Sequence, residues 1–229
     1  MGEMTSTYGR SPEDVRRWPA DPAARQALEQ YFAALRPDSR DLQFELDAEG
    51  LDFTGADLSG LELLQAELSQ ANLSGVRLVG ADLAGAWLIA AVLRGADLSR
   101  CSLRKAQGRK CDAQDAVFRG AVLDRAEFEN ADFRRADFSE ARFGRAWLSG
   151  ADLRDADLHS CVFGRGALST GLLQARLAGC RVEDAAGSVS GPADVGTDSP
   201  HLIDGAELWR WFADRGASLV EVAEPRVRE

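Results

Sequence analysis

The sequence predicts an all-β solenoid with short helical segments at its ends, and three observations predict it. Residues 51–170 divide into 24 consecutive pentapeptides without an insertion. The third place of the unit is Leu or Phe in 22 of them, only Gly108 and Ala113 departing. The first place is Ala in 17 and Cys in three, the others being Leu51, Leu61, Val76 and Gly166. A strand alternates with period 2 and a helix returns to one face every 3.6 residues, so a strict five fits neither as a continuous element. It fits a coil that turns a corner every five residues. The first and third residues, two apart, then point inward as in a short extended segment, and the other three face water. Ser and Gly, frequent at the last two places, suit a tight turn. Units that cannot bury an apolar face alone must stack on their neighbours.

The units "ADLSG" at 56, "ANLSG" at 71, "ADLAG" at 81, "ADFRR" at 131, "ADFSE" at 136 and "ADLRD" at 151 carry a resemblance to the pentapeptide-repeat family. The resemblance implies a right-handed quadrilateral β-helix with four pentapeptides per turn, hence six coils here. At ~4.8 Å per coil the rod is roughly 29 Å long. Residues 20 apart then stack, which places Leu88, Gly108, Phe128 and Leu148 in one inner column and Leu93, Ala113, Phe133 and Leu153 in the next. The two missing leucines lie against two phenylalanines. Either the larger rings compensate for the missing volume, or the gap is a ligand cavity.

Four segments follow along the chain: a helical N-terminal cap at 1–45, the repeat at 46–182, a flexible linker at 183–200, and a C-terminal helix with a short strand-like tail at 201–229. In the first, Ser11-Pro12 and Asp21-Pro22 each supply an N-cap followed by proline at the first helical position, predicting helices over 12–18 and 22–36. Leu28, Tyr31, Phe32 and Leu35 form an apolar stripe on the second, which suits the open end of the first coil. After Thr170 the frame slips by one place, which leaves room for one more irregular coil. "EDAAGSVSGPADVGTDSP" has the composition of a linker. A helix over 205–215 follows, with Gly216 at its C-cap. Its Leu208, Trp209, Trp211 and Phe212 are too apolar for a free surface and predict a dimerisation module.

Hydrophobic residues make up 45% of the chain but aromatic ones only 7%, so the core is built of small side chains. A formal charge of −10 argues against general nucleic-acid or anionic-membrane binding and permits a partner that normally binds polyanions. Cys101, Cys111, Cys161 and Cys180 form no CxxC pair and read as buried reduced thiols. With no leader-like apolar stretch and no apolar run of membrane length, a cytoplasmic protein is expected.

No catalytic, cofactor-binding or metal-ligating pattern can be assembled. His159 and His201 lack a second ligand at useful spacing, "GRGALSTG" lacks the Gly-Lys-Ser/Thr of a phosphate loop, and no enzymatic activity is expected. The outer surface carries the candidate sites. Stacking puts Asp112, Asp132 and Asp152 in one acidic ladder and Asp137 with Asp157 in another, either imitating a phosphate backbone or bonding the turn backbone. Lys105, Arg125, Arg145 and Arg165 align along a corner. Trp87 and Trp147 stand outward on one face, three coils apart, covered by the chain's own terminal helix or by a partner. Resemblance to the pentapeptide-repeat proteins that protect DNA gyrase implies a rod-shaped, dimeric DNA mimic that binds a type II topoisomerase and guards it from a poison. The alternative is a general protein-docking scaffold with no topoisomerase role.

Overall fold

In the computed structural model of the chain, residues 9–35, 45–164 and 168–219 are described. Arg165, the expected helix end at 36 and the tail beyond 219 lie outside them.

From residue 46 every pentapeptide contributes one bridging residue, its second, to its counterpart 20 positions on, from Asp47 with Glu67 to Arg142 with Val162, all in parallel. One coil is therefore four pentapeptides. Each unit is held by four kinds of backbone bond, one of them from the fifth residue's N–H forward to the next coil (Gly55 to the Ser74 carbonyl, 3.2 Å). The third residue's N–H donates forward to the next coil (Phe53 to the Asn72 carbonyl, 2.8 Å), and the second's donates back (Asn72 to the Leu51 carbonyl, 2.9 Å). The corner is closed by a turn bond, such as Ala56 N–H to the Phe53 carbonyl at 2.9 Å. That turn needs positive φ at its fifth residue. Glycine fills the place in many units, but Gln65, Lys105, Arg125, Arg135 and others adopt it with φ of 55 to 63°.

The first and third residues of the units line a core that runs the length of the rod, nearly all fully buried, including the four free cysteines. Burial pushes all four thiol pKa values upward. Between residues 118 and 163 phenylalanines fill six of the ten third places. Their rings touch in series, Phe128–Phe133 at 5.3 Å, Phe133–Phe138 at 5.0 Å, Phe138–Phe143 at 5.2 Å and Phe143–Phe163 at 5.8 Å between centroids. The Phe128 ring stands where a side chain at Gly108 would be, so a Cβ added there would collide with it. Size compensation, and no cavity, accounts for that departure from the repeat.

Both ends of the rod are closed by the chain itself. Before the repeat, a single 3-10 turn (Pro12–Asp14) is tied by Asp14, whose carboxylate accepts from the Ser11 N–H and hydroxyl. The turn is shorter than the helix expected over 12–18. Helix α1 (Pro22–Ala34) is capped by Asp21, which accepts from the Ala24 N–H at 2.9 Å. Its Leu28, Tyr31 and Phe32 are buried, and the Tyr31 hydroxyl donates to the Glu62 carbonyl of the first coil at 2.6 Å. Arg17 pairs antiparallel with Asp57, and Glu62 N–H donates to the Gly9 carbonyl, so the first coil's free edge is occupied.

At the other end the pairing offset changes from 20 to 24, Trp147 bridging Gly171 and Val162 bridging Ala186. Thr170 holds this break: its hydroxyl donates to the Phe143 carbonyl at 2.7 Å and accepts from the Gly164 N–H at 3.0 Å. A seventh coil follows through β1 (Thr170–Gly171) and β2 (Ala186–Gly187), and β3 (Val189–Ser190) begins a further turn by pairing parallel with β1. Strand β4 (Ala193–Asp194) pairs antiparallel with β5 (Leu202–Ile203). The segment expected as a linker is therefore built into the rod, with Ala185, Ser188, Val189 and Ala193 buried. Small side chains there serve close packing against the coil above.

Helix α2 (Gly205–Ala213), capped by Asp204, lies over this last coil. Its Leu208 and Phe212 are fully buried, and Phe212 extends the ring series by meeting Phe163 at 5.8 Å. Trp209 and Trp211 pack half-buried on the same core, with the Arg215 guanidinium 4.1 Å from the Trp211 ring centre. Strand β6 (Ser218–Leu219) then pairs parallel with β2. Of the patch expected to form a dimer, Leu208 and Phe212 are thus buried within the chain, while Trp209 and Trp211 stay partly exposed.

Candidate protein-binding surface

The second, fourth and fifth residues of each unit make the outer surface, so every candidate on it is positioned by the repeat register alone. Asp112, Asp132 and Asp152 do stack, as do Asp137 and Asp157. All five accept a hydrogen bond from the backbone N–H two residues on, at 2.9–3.4 Å. Every one also meets a guanidinium: Asp112 with Arg94 at 2.6 Å, Asp132 with Arg134 at 2.6 Å, Asp137 with Arg119 at 2.7 Å, Asp152 with Arg154 at 2.6 Å and Asp157 with Arg181 at 2.9 Å. Burial opposes the charge on Asp137, but the Ser139 hydroxyl and N–H together with Arg119 outweigh it and hold the carboxyl below its usual range. Asp152 behaves alike through Arg154 and Arg176. These ladders are neutralised rows and do not present the bare negative charge of a phosphate backbone.

Bare carboxylates lie elsewhere. Residues 46–85 carry seven acidic side chains against one cation, Arg77, whereas 86–164 carry 12 acidic against 13 basic. Asp47, Asp52, Glu67 and Asp82 have no cationic partner among the described residues. Summing charge over the whole repeat hides this concentration in the first two coils; summing coil by coil reveals it.

Asp47, Glu67 and Trp87 form one stacked column, continued by Gln107, Glu127 and Trp147. Trp87 is 39% and Trp147 59% exposed, and α2 covers neither. Near Trp147, at the coil-seven end, Leu168 and Leu173 are also exposed. Three coils at ~4.8 Å separate the two indoles by roughly 14 Å along the axis. One face thus presents carboxylates at one end and two large apolar rings further along, an arrangement suited to a partner bearing cations and apolar sockets.

Among the described residues no group of three His, Cys, Asp or Glu could hold a metal ion, and no helix is long and apolar enough to cross a membrane. His159 sits 3.8 Å from Asp184 at the surface.

Two family models, both described as pentapeptide repeats, match the sequence, one of nine copies over residues 113–162 and one of eight copies over 47–75 and 77–107. No curated protein matches. Among solved structures, a trypsin-treated variant of QnrB1, a plasmid-mediated fluoroquinolone resistance protein, is 23% identical, with 66% of this chain and 71% of that chain covered and a TM-score of 0.47. A pentapeptide-repeat protein from the Arabidopsis thaliana thylakoid lumen is 28% identical, covering 48% and 69%, with a TM-score of 0.35. HetL, involved in heterocyst differentiation regulation in the cyanobacterium Nostoc, is 27% identical, covering 69% and 90%, with a TM-score of 0.28.

Proposed function

Because the chain belongs to the pentapeptide-repeat family, we propose that it acts without catalysis, by docking a protein partner on the face that carries Trp87 and Trp147. The observation that carries this reading is the exposure of those two indoles in one column with unpaired Asp47 and Glu67, left uncovered by the chain's own helices. Aromatic anchors of this kind supply most of the energy in a protein interface, and the carboxylates select a basic partner and speed its approach.

A type II topoisomerase, DNA gyrase, is the partner of that description to test first. Its DNA channel is basic, and the resemblance already drawn from the repeat units points to it. Mimicry in this rod is then of girth and of an acidic end, since a rise of ~4.8 Å per coil does not match the ~3.4 Å phosphate spacing of a DNA strand. The experiment is a gyrase supercoiling assay with and without a quinolone, run with wild type and with Trp87→Ala/Trp147→Ala. Protection or inhibition by wild type that the double variant loses supports the reading. Absence of any effect, at concentrations well above the enzyme's, removes the topoisomerase and leaves docking of another basic protein.

A further inference from the structure

Along the rod most guanidinium groups are matched by a carboxylate: Arg94, Arg119, Arg134, Arg135, Arg154 and Arg181 each lie within 2.9 Å of one. One cleft gathers several cations outside this pattern. It has a volume of about 460 Å³ and is lined by Arg104, Lys105, Arg125, Arg142 and Arg145, with Asp124 as its one acid. Asp124 is already engaged by Arg142 at 3.4 Å, Arg104 at 3.7 Å and the Gly144 N–H at 3.0 Å. Lys105, Arg125 and Arg145 therefore have no carboxylate partner among the described residues. They occupy the fifth place of units stacked in three successive coils on one corner, so their stems rise at ~4.8 Å per coil and span ~10 Å. The lining also includes an apolar part, Val162, Phe163 and the half-exposed Leu168, at the point where the pairing offset changes from 20 to 24.

We propose that this cleft binds a small molecule bearing a di- or triphosphate chain. Three unneutralised cations in a row match several phosphate oxygens at once, and the guanidinium fork binds such oxygens in pairs. The volume is that of a small-molecule site, and the apolar wall accommodates the group to which the phosphates are attached. A long polyanion is disfavoured by the −10 charge of the whole chain.

The test is calorimetric titration of the full chain with pyrophosphate, ADP and inorganic phosphate at low and at physiological salt. Arg125 and Arg145 have φ of +62 and +59°, so Arg125→Gly/Arg145→Gly removes two charges at places where glycine relaxes the backbone, and the fold is retained. Arg135→Gly, with φ of +60° on a different corner, is the matched control. The expected result is one site for pyrophosphate or ADP, weakened by salt, with affinity down about tenfold or more in the double variant and less than about twofold in the control. Tighter binding of ADP than of pyrophosphate assigns the source to a nucleotide; equal binding assigns it to the phosphate chain alone. No binding of either at low salt, or an equal loss in the Arg135 control, overturns the proposal.

Discussion

Replacing Gly108 tests the stacking register more sharply than any surface change. The Phe128 ring is fully buried, and its Cε1, Cδ1 and Cζ atoms fill the space that a side chain at 108 would enter. Gly108→Leu forces that ring aside with Phe133 packed behind it at 5.3 Å, an overpacking that costs about 1–3 kcal/mol. Phe128→Ala removes a ring above a residue that has no side chain to fill the hole, at a cost of about 3–5 kcal/mol. In the double variant the new leucine fills the volume the ring vacated, so the pair costs less than the sum of the two single changes, with a coupling of about 0.5–3 kcal/mol. Chemical denaturation of the four proteins measures this, with the slope of the transition monitored for loss of cooperativity. Strict additivity would refute the argument, because it would mean that residues 108 and 128 do not share one space.

Three further outcomes are expected. Truncation after residue 200 removes β5, α2 and β6, bares the seventh coil around Phe163, and should make the chain aggregate; a soluble truncated chain of unchanged thermal stability would show that α2 caps nothing. Asp132→Asn/Asp137→Asn/Asp152→Asn should leave partner binding unchanged because these carboxylates are already matched by arginines, whereas Asp47→Asn/Glu67→Gln should weaken it; the reverse order, read by surface plasmon resonance, would restore the ladders as the binding element. Asp57, Asp137 and Asp152 have folded pKa values held below the unfolded value of about 3.9, so the stability they contribute is present above that pH and lost as pH falls through their folded values. Thermal unfolding from pH 7 to pH 2.5 should show this fall, and changing all three to Asn should flatten it.

The inward and outward places of the repeat were legible in its period of five, and the stacking of residues 20 apart was what the family resemblance implied; Phe128 does lie against Gly108 as that stacking requires. What escaped was whatever departs from the period. The segment 183–200 reads as a linker since Gly, Ser and Pro serve loose chains and tight coils alike, and only the altered offset distinguishes them. The apolar face of α2 was legible, but not that its Leu208 and Phe212 bury on the chain's own last coil, because a rod end and a second chain offer the same kind of surface. The acidic ladders misled for a different reason. Arg94 and Arg119 reach carboxylates 18 residues ahead, and Arg134 and Arg154 reach carboxylates two residues back. Counting down columns separates partners that sit in neighbouring columns.

The uneven charge along the rod gives it a direction. Seven carboxylates and one arginine occupy residues 46–85, while the cleft with its unmatched Lys105, Arg125 and Arg145 lies beyond them. Such an object has an electric dipole along its long axis, and in the field of a charged partner it is turned before it makes contact. Four similar flat sides would otherwise let a solenoid slide or dock head-for-tail with little difference in energy. A rod with an acidic head turns that end toward a cationic partner.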